Sequence, residues 1–115
     1  LASPSLRLQA DEGQLEQALL ALLTNAEQAT AGQATPRLWV QARQGRGGRL
    51  QISVRDNGPG VPAGMERKIF LPFFSAREGG QGIGLTVVRQ LVYGMGGRVR
   101  HVRPLEGGAA FVLSF

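Results

Sequence analysis

Residues 79 to 89 read Gly79-Gly80-Gln81-Gly82-Ile83-Gly84-Leu85-Thr86-Val87-Val88-Arg89, a ladder of glycines that runs straight into an apolar stretch. Glycine permits φ > 0 and has no Cβ to block close approach, so such a ladder brings bare backbone N–H groups against a polyphosphate. The helix that follows adds its own unpaired N–H groups and the positive end of its dipole. Glycine-rich loops also occur as plain turns. Two further constellations upstream narrow the choice: the loop Asp56-Asn57-Gly58-Pro59-Gly60, and before it a helical stretch centred on Asn25. Together they suit a nucleotide triphosphate with its metal.

Two commoner nucleotide motifs are excluded. A P-loop carries Lys directly after its last glycine, and the only lysine, Lys68, lies in another segment. A dinucleotide fingerprint needs Gly-x-Gly-x-x-Gly, and Leu85 occupies the place of the third glycine.

Hydrophobic spacing supplies the framework around these motifs. Leu6-Arg7-Leu8-Gln9 alternates like a short strand. Asp11 and Gln14 form a capping box for a helix over residues 12 to 31, with Leu15, Ala18, Leu19, Leu22 and Ala26 at helical spacing and Gly32 and Pro36 closing it. Arg37 to Arg43 and Arg49 to Arg55 read as a hairpin around Gly45-Arg46-Gly47-Gly48. Met65 to Phe70 reads as a short helix stopped by Pro72. A second long helix covers residues 83 to 94, and Arg98 to Arg103 with Ala109 to Phe115 close the chain as another hairpin. Helices set apart from hairpins imply an α+β sandwich, with the helices on one face of a mixed sheet.

At 115 residues the chain is one domain, residues 1 to 115, and its Leu1 start reads as a segment of a longer protein. It has no cysteine, which removes disulfides and thiolate metal sites and suits the cytoplasm. The longest apolar run, around Ala18 to Leu23, is far too short to span a bilayer, so no membrane contact is expected of this segment. Thirteen Lys and Arg against eight Asp and Glu give a net charge of +5. The arginines at 37, 43, 46, 49, 98, 100 and 103 fall in strands and hairpins with few interleaved aromatics, which favours a solvated surface over a nucleic-acid interface.

With these pieces in order, the sequence resembles the catalytic ATP-binding domain of sensor histidine kinases, part of a group that includes gyrase, mismatch-repair and heat-shock-chaperone ATPases. The likeness runs from about Gln9 to Phe115. Leu22 to Ala29 resembles the family's Asn box, Asp56 to Gly60 its first glycine box, Ile69 to Ser75 its Phe box, and Gly80 to Leu85 its second glycine box. The lid between Phe74 and Gly80 is short, Ser75-Ala76-Arg77-Glu78-Gly79, as in the nitrogen-regulatory type. The resemblance implies a two-layer Bergerat-type sandwich with a sheet of about five strands, and ATP with Mg²⁺ as its ligands. It also implies transfer of the γ-phosphate to a histidine on a dimerisation domain outside this chain, and from there to a response regulator, in the cytoplasm whether or not the longer protein is membrane-anchored.

The site residues it implies are Asn25 as magnesium ligand and catalytic residue, Ala29, Asp56, Gly58, Gly60, Phe74, Arg77, Gly80, Gly82, Ile83, Gly84 and Leu85. Several have a physical rationale and a plainer alternative. An Asn amide oxygen is a hard neutral ligand for Mg²⁺ shared with phosphates, or simply a helix-end hydrogen-bonder. The Asp56 carboxylate can accept the adenine amine, or cap an Asx turn. Phe70, Phe73 and Phe74 read as packing at the base of the lid, and Arg77 as a phosphate partner or a solvated cation. His101, the only histidine, reads as a strand residue rather than a phosphoacceptor.

Two departures from the family pattern stand out. Ala21 occupies the position, four before Asn25, where histidine kinases commonly have Asn and gyrase-like ATPases a water-activating Glu. Ala109 stands where the family commonly has a Thr supporting the adenine-binding Asp. The first counts against a hydrolase; the second removes one hydrogen bond, worth about 1 kcal/mol. Two other readings remain open: a nucleotide-dependent switch or ATPase of the gyrase group, or a degenerate domain that only binds.

Overall fold

The computed structural model describes residues 12 to 71 and 84 to 115. Helix α1, Glu12–Thr30, is built from strong helix formers, with Glu12 in its first turn complementing the dipole. Its Ala18, Leu22 and Ala26 are buried, as the sequence spacing predicts. Thr30 closes the last turn by donating its hydroxyl to the carbonyls of Ala26 (2.9 Å) and Glu27 (3.2 Å).

Strands β1, Leu38–Gln44, and β2, Leu50–Asp56, pair antiparallel from Leu38↔Asp56 to Gln44↔Leu50. Helix α2, Gly84–Gly94, buries Val88 and Val92. Strands β3, Arg98–Val102, and β4, Ala109–Ser114, form the final hairpin. The sheet order is β1-β2-β4-β3, so β4 inserts beside β2 and both become central. Their inward residues Ile52, Val54, Phe111 and Leu113 meet Leu22 of α1 and Val88 and Val92 of α2 in one core. The helices pack on each other, α1 also against β2 and α2 against β3. This is the expected α+β sandwich.

Three details differ from, or fall outside, the sequence reading. All three pairings among the described strands are antiparallel, so the parallel pair that a mixed sheet requires is not among them. The expected strand Leu6 to Gln9, which would raise the count to five, lies outside the described residues, as does the Asp11 half of the capping box. Residues Met65 to Phe70 form hydrogen-bonded turns rather than a helix: Ile69 N–H reaches the Met65 carbonyl at 3.2 Å, and Lys68 N–H reaches the same oxygen at 2.9 Å. Gly64, with φ +82°, leads into this turn, and Leu71 precedes a proline, a position that disfavours the helical conformation.

On the opposite sheet face no described helix packs. Arg43, Arg98 and Arg100 stand on it, exposed. Arg55 lies 4.4 Å over the Trp39 ring and pairs with Glu106 at 3.3 Å.

Candidate functional site

The site grows from the point where β2 ends. Asp56 closes that strand and is 2% exposed, although it carries a carboxylate. Its Oδ1 accepts the Gly58 N–H at 2.8 Å, forming the Asx turn that Asp-Asn-Gly-Pro favours. An ionised carboxylate offers about four acceptor sites, and the turn bond uses one of them. The turn and the base-reading role are therefore compatible in a single side chain.

Glycines let backbone segments pack closely around the end of β2 at Asp56. A Cβ at Gly58 would lie 2.5 Å from the carbonyl oxygen of Ala29, so the loop presses directly on the last turns of α1. Gly60 has φ +81°, and a Cβ there would stand 2.8 Å from the Gly108 carbonyl oxygen. Gly108, also at φ +81°, abuts the Asp56 carbonyl so tightly that a Cβ would fall inside that oxygen. The result is a cradle walled by bare backbone around a buried acid. Gly58 and Gly60 were legible as loop glycines in the sequence; Gly108 lies in the connection between the two strands of the final hairpin.

Helix α1 supplies the next wall. Ala21, Asn25 and Ala29 are half-buried and succeed one another at one-turn intervals, each about 6 Å along the axis from the last. Ala29 touches the Gly58 loop, which places Asn25 one turn further along the same stripe. Its amide carries a neutral oxygen of the kind that Mg²⁺ takes as a ligand, and a phosphate-bound Mg²⁺ ordinarily keeps waters and phosphate oxygens as its other ligands. A single protein oxygen is consistent with that habit. No carboxylate accompanies Asn25 at Ala21.

Helix α2 begins at Gly84, and its Leu85 is half-buried against the core. Thr86 ties this end of α2 to the preceding segment by donating its hydroxyl to the Phe70 carbonyl at 2.8 Å, a contact the sequence did not suggest. Phe70 stands edge-on to Phe111, with ring centroids 6.2 Å apart, which bears out its reading as packing. Phe73, Phe74, Arg77, Gly80, Gly82 and Ile83 lie outside the described residues.

His101 sits in β3, its ring tilted on Phe111 at 5.4 Å and its Nε2 buried without a hydrogen-bond partner. Burial, with the Arg103 charge beside it, lowers its pKa below the ordinary histidine value, while Glu66 and Asp56 oppose the shift. The folded state thus favours the neutral ring, and its contribution to stability is present above about pH 6.5 and lost as pH falls toward the lowered value. Arg103 in turn donates from Nε to Glu66 Oε1 at 2.9 Å, holding the Glu66 carboxyl below its usual range and tying the 61–71 loop to the end of β3.

Ala109 is the cross-strand partner of Asp56 and is 5% exposed. A hydroxyl at this position would sit beside the carboxylate on the same face of the sheet. Ala109→Thr is accordingly expected to tighten ATP binding about fivefold, the worth of one hydrogen bond. Isothermal titration checks it, and unchanged affinity would mean that residue 109 does not support the pocket.

Residues 10–115 match the family model described as histidine kinase-, DNA gyrase B- and HSP90-like ATPase. The sensory histidine kinase/phosphatase NtrB of Rhodobacter capsulatus is 42% identical over 92 residues, covering 71% of this chain and 26% of NtrB. The chain thus spans about a quarter of the length of that relative. Among solved structures, the catalytic domain of histidine kinase ThkA superposes with a TM-score of 0.84 at 27% identity, covering 98% of this chain and 74% of that one. Full-length ShkA in complex with AMPPNP gives 0.78 at 37% identity, over 91% of this chain and 22% of that one. By these likenesses the chain belongs to the histidine kinase-, DNA gyrase B- and HSP90-like ATPases, as an ATP-binding catalytic domain of the sensor histidine kinase type.

Proposed function

We propose that this domain binds ATP with Mg²⁺ and delivers the γ-phosphate to a histidine on a dimerisation domain outside residues 1 to 115. A response regulator is the next acceptor, and cytoplasmic ATP is the source. The observation that carries this reading is the buried Asp56 carboxylate at the bottom of a cradle of bare backbone, beside the Asn25 stripe. A carboxylate oxygen accepts hydrogen bonds, and the adenine exocyclic amine is a donor of matching chemistry. AMPPNP, the ligand named for ShkA, is an ATP analogue, which supports the same ligand class here.

In this reading Asp56 orients the base, the glycine loops let backbone reach the nucleotide, and Asn25 would hold Mg²⁺ against the phosphates. The ion would neutralise phosphate charge when bound. Transfer breaks the bond from the γ-phosphorus to the bridging oxygen, forms a bond to an imidazole nitrogen of the acceptor, and leaves ADP. The domain's contribution is chiefly positioning and charge neutralisation.

Two features of the chain support transfer over hydrolysis. Ala21 places no carboxylate one turn before Asn25, where a general base for water would stand. His101 is unsuited as an internal acceptor, with Nε2 buried against the fold. The isolated domain is therefore expected to bind ATP and turn it over very slowly. With radiolabelled ATP and a purified dimerisation domain from a histidine kinase of the same parent, acid-labile phosphate should appear on that partner and none on residues 1 to 115. Asn25→Ala should abolish the label. Brisk phosphate release by the lone domain would instead favour an ATPase switch.

A further inference from the structure

We infer that Asn57 is a positioning residue whose side-chain amide acts as a substitute peptide unit, holding the Asp56 carboxylate at the bottom of the cradle. The inference rests on Asp56 as the base-reading group.

The β1–β2 ladder reaches its last strand pair at Leu38↔Asp56. One more ladder bond follows, from Asn57 N–H to the Arg37 carbonyl at 3.2 Å. The main chain then leaves the sheet to make the Asx turn, closed by Gly58 N–H on Asp56 Oδ1. The segment leading into β1 would lose its partners at that point. Asn57 supplies them from its side chain: Oδ1 accepts the Arg37 N–H at 2.8 Å, and Nδ2 donates to the Thr35 carbonyl at 2.9 Å. A carboxamide carries one acceptor and a donor in the geometry of a peptide group, which is what a continued ladder would have offered. Aspartate at this position lacks the donor, and alanine lacks both.

The consequence falls on the neighbouring residues. Gly58 presses on the Ala29 carbonyl on one side, while Asn57 grips residues 35 and 37 on the other. The dipeptide is thus fixed between the end of α1 and the start of β1. Asp56, directly before it, cannot swing without breaking one of these contacts. Groups that orient a binding residue set how well it discriminates, because a misplaced acceptor forfeits a directional bond.

The test exploits the base chemistry. Adenine presents an exocyclic amine to Asp56, whereas hypoxanthine presents a carbonyl at the same place. Titration calorimetry would give the affinities of ATP and ITP for the wild-type domain, Asn57→Ala and Asn57→Asp, with melting temperatures alongside. Wild type is expected to prefer ATP by at least about tenfold, since a mismatched buried polar group is costly. Asn57→Ala should lose most of that preference, through an ATP affinity lower by about tenfold and a nearly unchanged ITP affinity. Asn57→Asp, which keeps the acceptor for Arg37, should fall between. A lowered melting temperature with the ATP/ITP ratio intact would make Asn57 purely structural and overturn the inference, as would loss of folding in both variants. A wild-type domain indifferent to the two nucleotides would overturn the base-reading role of Asp56 itself, an outcome separable from failure of the Asn57 clamp alone.

Discussion

Gly108→Ala is expected to destabilise the domain by about 3 kcal/mol or more, and to abolish measurable nucleotide binding in whatever fraction remains folded. Two costs add. The backbone at residue 108 has φ +81°, where an L side chain is strained by about 1 kcal/mol or more. In addition, the new Cβ would overlap the Asp56 carbonyl oxygen, with the Asp56 carbonyl carbon at 2.9 Å and the Asn57 Cα at 3.1 Å. All three neighbours are backbone, so no side-chain rotation relieves the clash. The β3–β4 turn would have to withdraw from the end of β2, opening the cradle where Gly60 now meets the Gly108 carbonyl. Gly107→Ala provides a control, because residue 107 has φ +95° but nothing within 4 Å of its Cβ. Chemical denaturation of the two variants separates backbone strain, common to both, from the clash unique to Gly108. Equal destabilisation would show that the close approach carries no energetic weight.

Much of this fold was legible because its elements bury one face at a regular period. The α1 spacing, and the strict alternation of buried and half-buried residues along β2, both follow from local pattern. The order of the strands did not follow: β4 lies between β2 and β3, a pairing between segments more than fifty residues apart that no local period encodes. Within the site the same division holds. The Asx turn at Asp56 was readable from four consecutive residues, and the structure contains it. The Asn57 bonds reach back 20 and 22 residues, and the Gly108 approach crosses from another hairpin. Their chemistry is ordinary; only the tertiary arrangement reveals the partners. Met65 to Phe70 failed for a related reason, since apolar spacing was too short a run to outweigh the constraint imposed by Pro72 on Leu71.

Asp56→Asn is expected to weaken ATP binding by about 30- to 100-fold while changing stability by about 1 kcal/mol or less. The two effects separate because Asp56 serves the fold and the ligand with different features. For the fold, its Oδ1 accepts the Gly58 N–H at 2.8 Å, and an asparagine carbonyl oxygen forms the same turn. Holding that turn fixes which way the new amide points, so its NH₂ group replaces the other carboxylate oxygen. For the ligand, the adenine amine would then meet a donor instead of a charged acceptor. A hydrogen bond to a charged group is worth about 1.5–3 kcal/mol, and the mismatch adds the cost of a buried donor left without a partner. Burial magnifies both, since Asp56 is 2% exposed and water cannot fill in. Calorimetric titration with ATP, beside a thermal melt of the same sample, reads both quantities. A variant that melts like wild type and still binds ATP with parental affinity would leave Asp56 as a turn residue and move the adenine contact elsewhere in the cradle.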